Sequence, residues 1–508
     1  MRAMQLDVSS DFVVVVRPVP PLAEQRKLNS QHGFNASLSQ SIPLNRDVRN
    51  KAGAECALVD YGDLSKLPDT SVVFVFCNEE QSVLYRSIHS VLNRSPPQLL
   101  REIILVDDGS SAAHLGDELD KYIATLPKVK LIRQNARTGL VEARLAGMRA
   151  AQAETVTVLD SHIEVQERWL EPLMSRMKGD ETRVVIPIID GMNAKTFKDD
   201  PGGIQLCGFL WSMVEHGIPL QHKDAAMIQS PCCDPQPSPV MAGGLFSINK
   251  NWFLNTLGGY DTGISFWGTE NLEMSFRIWM CGGTLEMMPC SRVYHVFRTM
   301  GGKPYHVPGN TGVVNKLRTI YGWLGDKYAK YALSQLGPAA LSTDYGDLSD
   351  VRRVQEKLQC KNFDWFMHNV YPDNVLIKSL GDAQYHGLIK AADPTSSKCL
   401  AFTRTSGASQ PCKTKDTAIY SKQEFFLSKM GELRLANQLD DCIDFSSTQR
   451  RLSLNACGRY RPIASQEWIY SAGDQFLKHK STGECLSPIT GTVGKCDSSA
   501  KVEWDPIP

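Results

Sequence analysis

The sequence has no excess of either charge: 55 Lys and Arg face 55 Asp and Glu across 508 residues, and no long run carries one sign. That excludes a nucleic-acid-binding tail and a strongly basic membrane surface, and it points to neutral or small partners, with no nucleic acid among them. A long apolar run near the amino end is also missing. Phe12–Val16 is far too short to span a bilayer and lacks the shape of a secretory signal, so the chain as written reads as soluble, with no membrane anchor in this sequence. Neither G-x-G-x-x-G nor G-x-x-x-x-G-K-[ST] occurs, which argues against a dinucleotide or P-loop site. A nucleotide held by carboxylates and a metal is the arrangement that remains.

Cysteine, by contrast, is plentiful. Fourteen residues, several at repeating spacings, suggest disulfides and an oxidising compartment. The tension with a soluble reading is resolved if a targeting or anchoring segment precedes this sequence; Asn35-Ala36-Ser37 and Asn93-Arg94-Ser95 would then be candidate glycosylation sites. The clearest spacing lies in the carboxyl-terminal third, where Cys399, Cys442 and Cys485 recur at intervals of 43 residues. Each opens a short apolar phrase and is followed by a second Cys, at Cys412, Cys457 and Cys496, and then by Gln423-Glu424-Phe425, Gln466-Glu467-Trp468 or Val502-Glu503-Trp504. Three such units are too few for a closed propeller of about four or more blades, so a threefold all-β arrangement with one disulfide per unit is expected. Cys77, Cys207, Cys232 and Cys233 have no assigned partners.

Residues 1–69, rich in Pro, Asn and Ser, read as a stem or an irregular arm on the following domain. From Thr70 strands alternate with helices: strands at 71–76, 102–106 and 128–133, helices at 81–92 and 140–152. This pattern predicts βα units, a parallel sheet, and strand ends gathered along one edge. The chain is organised around Thr155–Glu164, where an apolar strand runs into Asp160-Ser161-His162. A carboxylate and an imidazole two residues apart on an extended backbone point the same way and suit Mn²⁺ with positions left for diphosphate oxygens, although alone the pattern is more often a turn or a helix cap. Asp107-Asp108-Gly109 ends an earlier strand at the same edge, as a turn or as an acceptor for a ribose or uracil. Gly243 and Gly244 permit close approach of a ligand to the backbone or merely bend the chain. Glu270 lies in the first turn of a helix opened by Phe266-Trp267-Gly268-Thr269, where a carboxylate complements the dipole. His295 sits in a late strand with Arg298 at its end, either a structural histidine or a third metal ligand beside the cation a diphosphate requires.

Assembled, these phrases resemble the polypeptide N-acetylgalactosaminyltransferases, Golgi enzymes that begin mucin-type O-glycosylation. The resemblance runs from about Gly33 to the carboxyl end and rests on Ile42-Pro43-Leu44-Asn45-Arg46, the 102–108 strand EIILVDD, Leu159-Asp160-Ser161-His162, Ala242-Gly243-Gly244-Leu245-Phe246, Glu270-Asn271-Leu272-Glu273 and His295-Val296-Phe297-Arg298. It implies an α/β nucleotide-sugar transferase domain of GT-A type followed by an all-β, ricin-like β-trefoil lectin. The boundaries expected are a 1–69 stem, a 70–335 catalytic domain, a 336–384 linker and a 385–508 lectin. By the resemblance Asp160, His162 and His295 ligate Mn²⁺, and Asp108 and Ser161 contact the nucleotide. Trp267, Arg298 and Tyr305 line the donor pocket, with Gly243 and Gly244 also on the substrate side, and Glu270 acts with Arg298 in catalysis. The reaction implied moves N-acetylgalactosamine from UDP to Ser or Thr hydroxyls of polypeptides with retention, in the Golgi lumen or on a secreted protein. The resemblance also implies the disulfides Cys56–Cys290 and Cys281–Cys360.

Several positions depart from the family pattern. Cys77 stands where the family has His, Thr269 where it has Gly, and Glu142 where an Arg faces the diphosphate. The loop from Arg298 to Tyr305 is longer and carries Lys303. A carboxylate at 142 opposes diphosphate binding by about a kcal/mol or more unless Lys303 or another cation offsets it. The alternative function is therefore an impaired transferase acting as a glycan-binding lectin. In the trefoil, only Asp444 keeps the expected sugar-binding carboxylate; Ala401 and Ser487 replace the other two. One working pocket for N-acetylgalactosamine-bearing glycopeptides, in the middle repeat, is expected.

Overall fold

The structure is a computed structural model and describes residues 21–200, 205–219, 233–303, 305–403, 405–458 and 463–507. Phe12–Val16 and Cys232 lie outside the described residues. Two compact units emerge, one of Met1–Cys207 with Gly217–Thr311 and one of Gly208–His216 with Gly312–Pro508.

The described part of the first unit opens with α1 (Leu22–His32), α2 (Ala36–Ser41) and α3 (Ala54–Leu58). The stretch expected to be an irregular arm is thus partly helical. Only His32 of α1 is buried, so no apolar period marked this helix in the sequence. Its ends are set locally: Gly33 takes φ 74° past α1, and the Asn35 side chain caps α2 by accepting the Leu38 amide. The arm is fixed by tertiary contacts, with buried Arg86 donating to the carbonyl and the hydroxyl of Ser39 at 2.7 and 2.6 Å.

The expected alternation follows: β1 (Thr70–Phe76), α4 (Gln81–Arg94), β2 (Leu100–Asp107), α5 (Asp117–Ile123), β3 (Val129–Arg133), α6 (Leu140–Ala150), β4 (Thr155–Asp160), β5 (Ile163–Val165), α7 (Leu170–Met177) and β6 (Arg183–Met192). A hairpin of β7 (Gln205–Leu210) and β8 (Val214–Pro219) precedes β9 (Gln236–Pro237), β10 (Phe246–Asn249), α8 (Glu270–Met280) and β11 (Thr284–Val296). The sheet order is β3-β2-β1-β4-β10-β6-β11-β5, with β9 on β11. β1 to β4 are parallel, and β1 is buried on both faces apart from half-buried Val75, as a strand sandwiched between helical layers must be. The sheet is mixed rather than all parallel: β10 runs antiparallel to β4 and β6, and β5 antiparallel to β11. β5 leaves β4 by a short turn, and β10 follows β9 with no helix between them. Neither is the end of a helical crossover, which is what enforces parallel pairing.

α6 packs close on the sheet because Gly147 leaves room: a Cβ there would lie 2.5 Å from Val73 Cγ1. The main core gathers Val72, Phe74, Leu105, Leu159 and Trp169 between the sheet and α4, α5 and α7. Cys56–Cys290 closes a disulfide across 234 residues.

The second unit holds helices, then twelve strands between Ala383 and Pro506. The 336–384 stretch expected as a linker contains the helices Ser349–Leu358, Phe363–Asn369 and Val375–Asp382. Their buried aromatics explain this: Phe363 meets Phe209 and Tyr328 edge-on, and Trp211 stacks on Tyr328. The trefoil core is built from Phe425, Leu435, Ile443, Trp468 and Leu477, with Cys399–Cys412, Cys442–Cys457 and Cys485–Cys496 each closed within one repeat. Cys281 and Cys360 are both in disulfide form. Among the described residues no helix is long and apolar enough to cross a membrane.

Candidate active site

The carboxyl ends of β1, β2 and β4 deliver Glu79, Asp108 and Asp160 to one edge of the sheet. β11 pairs His295 opposite Ile163, which brings the third ligand candidate to the same place. One ligand atom from each of Asp160, His162 and His295 lies within 4.8 Å of the other two. His295 Nε2 is 3.3 Å from Asp160 Oδ2, and the two imidazoles lie tilted at 59° to each other with 4.7 Å between ring centroids.

Glu79 organises this cluster, and the sequence reading missed it. Its buried carboxylate accepts from Ser161 Oγ at 2.9 Å, His162 Nδ1 at 3.0 Å and Arg298 Nη2 at 2.7 Å. Burial alone would push its pKa up, but Arg298 and His162 outweigh that and hold the carboxyl well below the usual range. Glu79 therefore remains an acceptor, orients the His162 ring, and leaves Nε2 facing the cluster. His162 is itself shifted down, by burial first and then by Arg298 beside it, which keeps the imidazole neutral. For Asp160, burial is again opposed: the His295 hydrogen bond, both histidines and Arg144 hold its pKa well below the ordinary value. The signal for Glu79 was available in the sequence as Asn78-Glu79, directly after an apolar strand at the edge already singled out.

Arg298 is held from three sides. Besides Glu79, its Nη1 donates to the His32 carbonyl, and its guanidinium lies 5.3 Å over the Phe34 ring. The loop after it is tied to the arm through Met300 N to Gly33 O at 2.9 Å and Gly302 N to Ser30 O at 2.7 Å. Lys303 then reaches across the pocket, its Nζ 3.9 Å over the Trp267 ring and 5.7 Å over that of Tyr305. Burial first, and then Arg298, lowers the Lys303 pKa. The Tyr305 phenol is pushed up to about 12 by burial, so it stays protonated. Trp267 keeps 45% of its surface exposed.

The other expected site residues fall close by with distinct local tasks. Asp108 accepts from the amides of Thr138 at 2.7 Å and Gly139 at 3.0 Å, and so fixes the loop that starts α6. Gly244 makes room for Asp160: a Cβ there would lie 2.3 Å from Oδ2. Gly243, at φ 86°, does the same for Asn271. Glu270 opens α8, accepts the Gly268 amide at 2.9 Å, and is 5% exposed. Thr269 before it sits at φ 72°, a left-handed position costly for a β-branched residue. Glu142 is in the first turn of α6 and half-buried.

Arg144, not singled out by the sequence reading, is the most buried cation here. Its Nη2 is 3.9 Å from Asp160 Oδ1 and its Nη1 3.6 Å from Glu270 Oε1. The spacing Leu140, Arg144, Met148 puts it on the apolar stripe of α6, which was the available signal.

These residues fit a divalent cation. The donor set is one carboxylate and two imidazoles, His295 Nδ1 is buried with no hydrogen-bond partner among the described residues, and a glycine cradles the carboxylate. Such a centre beside Arg298 can bind a diphosphate. In the second unit Asp444 is half-buried, and its Oδ2 accepts from Gln466 Nε2 at 3.2 Å. Ser487 spends its hydroxyl on the Ser499 carbonyl, and Ala401 has no polar group. Trp468, 1% exposed, donates to the Ile443 carbonyl inside the core.

Comparison with known proteins agrees over most of the length. Residues 71–232 match the model described as glycosyl transferase family 2, residues 227–299 the N-terminal domain of galactosyltransferase, and residues 386–502 the ricin-type beta-trefoil lectin domain. Polypeptide N-acetylgalactosaminyltransferase 4 of Mus musculus is 41% identical over 482 residues, covering 93% of this chain and 81% of the relative. Putative polypeptide N-acetylgalactosaminyltransferase 9 of Drosophila melanogaster is 36% identical over 467 residues, covering 90% and 69%. A crystal structure of GalNAc-T7 with UDP, GalNAc and Mn²⁺ superposes with a TM-score of 0.69 at 30% identity, over 96% of this chain and 90% of that one. With a GT-A transferase domain, a β-trefoil lectin domain and relatives of this identity over most of its length, the chain belongs to the polypeptide N-acetylgalactosaminyltransferase family.

Proposed function

We propose that the chain transfers N-acetylgalactosamine from UDP-GalNAc to Ser or Thr hydroxyls of polypeptides, with retention at the anomeric carbon. The observation that carries this reading is the convergence of Asp160, His162 and His295 within 4.8 Å, beside an Arg298 already held in place by Glu79. Asp160, His162 and His295 would hold Mn²⁺, which when bound supplies Lewis-acid neutralisation of the departing diphosphate. Arg298 adds a fixed cation on the same side, so that charge developing on the leaving group meets a preorganised partner. Ser161 and the loop pinned by Asp108 border the nucleotide, and Gly243 and Gly244 let the sheet edge approach it. Lys303, Trp267 and Tyr305 close the donor pocket, the Lys303 ammonium lying over both rings. Glu270 faces the acceptor side, its carboxylate oriented by the Gly268 amide. Family membership and the disulfide-rich chain support a setting in the Golgi lumen or beyond it.

Nothing specific favours the alternative of an impaired transferase acting only as a lectin, since the metal ligands, Arg298 and Glu270 are assembled together. In the trefoil, Asp444 is the carboxylate available for a hydroxyl of a GalNAc-bearing glycopeptide.

The test is calorimetric titration of UDP with and without Mn²⁺, followed by transfer assays with UDP-GalNAc and a panel of Ser/Thr peptides. Tight UDP binding that needs Mn²⁺ and disappears in Asp160→Ala is expected, with product of retained anomeric configuration by NMR. Metal-independent binding, or neither transfer nor donor hydrolysis with any peptide, overturns the reading. For the lectin, Asp444→Ala is expected to abolish binding of N-acetylgalactosamine; unchanged binding shows that another repeat carries it.

A further inference from the structure

Arg144 is 2% exposed, yet among the described residues its Nε and Nη1 make no hydrogen bond of good geometry, the Tyr260 hydroxyl being the polar group beside the guanidinium. Unspent donors on a buried guanidinium are costly, and a native fold retains them where they serve something other than packing. The surroundings identify that service. One end of the fork faces Asp160 at 3.9 Å and the other faces Glu270 at 3.6 Å, with the hydroxyl of Tyr260, itself 3% exposed, beside it. Both separations are ion-pair distances, longer than hydrogen bonds. The guanidinium therefore neutralises the two carboxylates without occupying the lone pairs that a metal or an acceptor group needs.

The backbone explains why the side chain arrives there. α6 starts at the carboxyl edge of the sheet, and helical side chains lean towards the amino end of their helix. Arg144, one turn in on the buried face, is thereby directed back to that edge. The start of α6 is stitched to the loop that carries Glu270: the Leu140 amide donates to the Phe266 carbonyl at 2.8 Å, and Gly139 bridges to Phe266. A helix fixed on β1 and tied to the 266–269 loop holds one cation in constant relation to a donor-side and an acceptor-side carboxylate.

We propose that Arg144 is a positioning residue for the transfer reaction, a buried charge set between Asp160 and Glu270 that fixes the acceptor-side carboxylate relative to the donor-side centre. The inference rests on the proposed transferase reading and adds to it the element that registers the two halves of the site. Removing the charge takes from Glu270 the buried cation 3.6 Å from its Oε1, so its carboxylate loses its fixed relation to Asp160 and the hydroxyl to be glycosylated loses its alignment. Asp160 retains His162 and His295 as neighbours, so donor binding survives. The effect falls on turnover.

The experiment compares wild type, Arg144→Lys and Arg144→Met in three measurements: UDP affinity in the presence of Mn²⁺ by calorimetry, kcat and KM for a Ser/Thr peptide, and the thermal midpoint. In Arg144→Met, kcat is expected to fall about a hundredfold while the UDP dissociation constant stays within about fivefold, the pattern of an interaction used in the transition state and not in donor binding. Arg144→Lys, which keeps the charge but reaches one carboxylate rather than both, is expected to recover about tenfold of that loss. Wild-type turnover in Arg144→Met overturns the proposal. So do equal losses in the Lys and Met variants, or a UDP affinity that falls in step with kcat. If the Met variant does not fold, Arg144→Lys and Tyr260→Phe carry the test: both are expected to bind UDP normally and turn over at least about fivefold more slowly. Unchanged kcat in both overturns the role. An inactive wild type overturns the transferase reading itself, whereas an active wild type with an indifferent Arg144 overturns only this inference.

Discussion

Thr269 carries strain that a single substitution can measure. Its φ of 72° places a β-branched side chain in the left-handed region, directly before the helix that begins with Glu270. Left-handed backbone costs a non-glycine residue about 1–2 kcal/mol, and glycine returns part of that as unfolded-state entropy. Thr269→Gly is therefore expected to raise the thermal midpoint by an amount equivalent to about 0.5–1 kcal/mol; a lower midpoint would mean that the threonine side chain makes compensating contacts. Glu79 gives the opposite case. Glu79→Gln strips the counter-charge from Arg298 and the anionic acceptor from His162 in a buried place, and breaking such a pair costs ~3–5 kcal/mol. Both the midpoint and the Mn²⁺-dependent UDP affinity are expected to drop, the latter by about 10- to 100-fold. A variant with normal UDP affinity would show that His162 does not need Glu79 to orient it. The role of Glu79 was legible only in part: its phrase was compared with the family's, but attention went to Cys77, two residues earlier. What makes it the hub is the convergence of residues 161, 162 and 298 from other strands, and no local spacing records that.

Among the elements, α4 carries a pH-sensitive packing contact. His89 on α4 bonds the Tyr122 hydroxyl on α5, and burial lowers its pKa from 6.5. A depressed histidine must stay neutral to remain packed. Its contribution is therefore full above the unfolded value near 6.5 and is lost as pH falls through the lower folded value. The stability of the first unit is expected to decline as the pH falls below about 6.5, and His89→Gln to flatten that slope, as read by urea midpoints along a pH series. The start of α6 supplies another test. Gly139 sits at φ 95°, and a Cβ on it would lie 2.4 Å from Phe266 Cα. Gly139→Ala is expected to part α6 from the 266–269 loop and to lower peptide transfer more than UDP binding, read by kcat against the UDP dissociation constant. Elements with a clear period, β1, β2, β4 and α6, were legible to within about two residues. α1 and α5 were not, because α1 buries a single residue and α5 is about two turns between loops. The antiparallel entry of β10 and β5 was likewise hidden, since strand direction depends on where the connecting chain returns and not on the strand's own residues.

At the scale of the whole chain, regular repetition was the more legible signal. The 43-residue interval of Cys399, Cys442 and Cys485 announced the three repeats, and their disulfides close loops of 13, 15 and 11 residues in sequence separation. A loop of that size is worth about 3 kcal/mol in the chain-entropy account. Reduction is expected to unfold the trefoil at a lower temperature, followed by the emission of Trp468 as its buried indole meets water; an unchanged transition would show that the apolar core suffices. The helices within 336–384 were not legible because Phe363 and Tyr371 meet Phe209, far back in the sequence. The hold of the arm on Arg298 has a consequence of the same long-range kind. His32 and Arg298 are 266 residues apart, and the contact between them completes the anionic pocket. During synthesis the arm emerges first, and its His32 carbonyl waits for Arg298 until β11 has been made and paired. The pocket is therefore assembled at the end of folding, and its hydrogen-exchange protection is expected to appear after that of β1 to β4. A site that forms last is also the first that a shortened or nicked arm removes, with the sheet beneath it left intact.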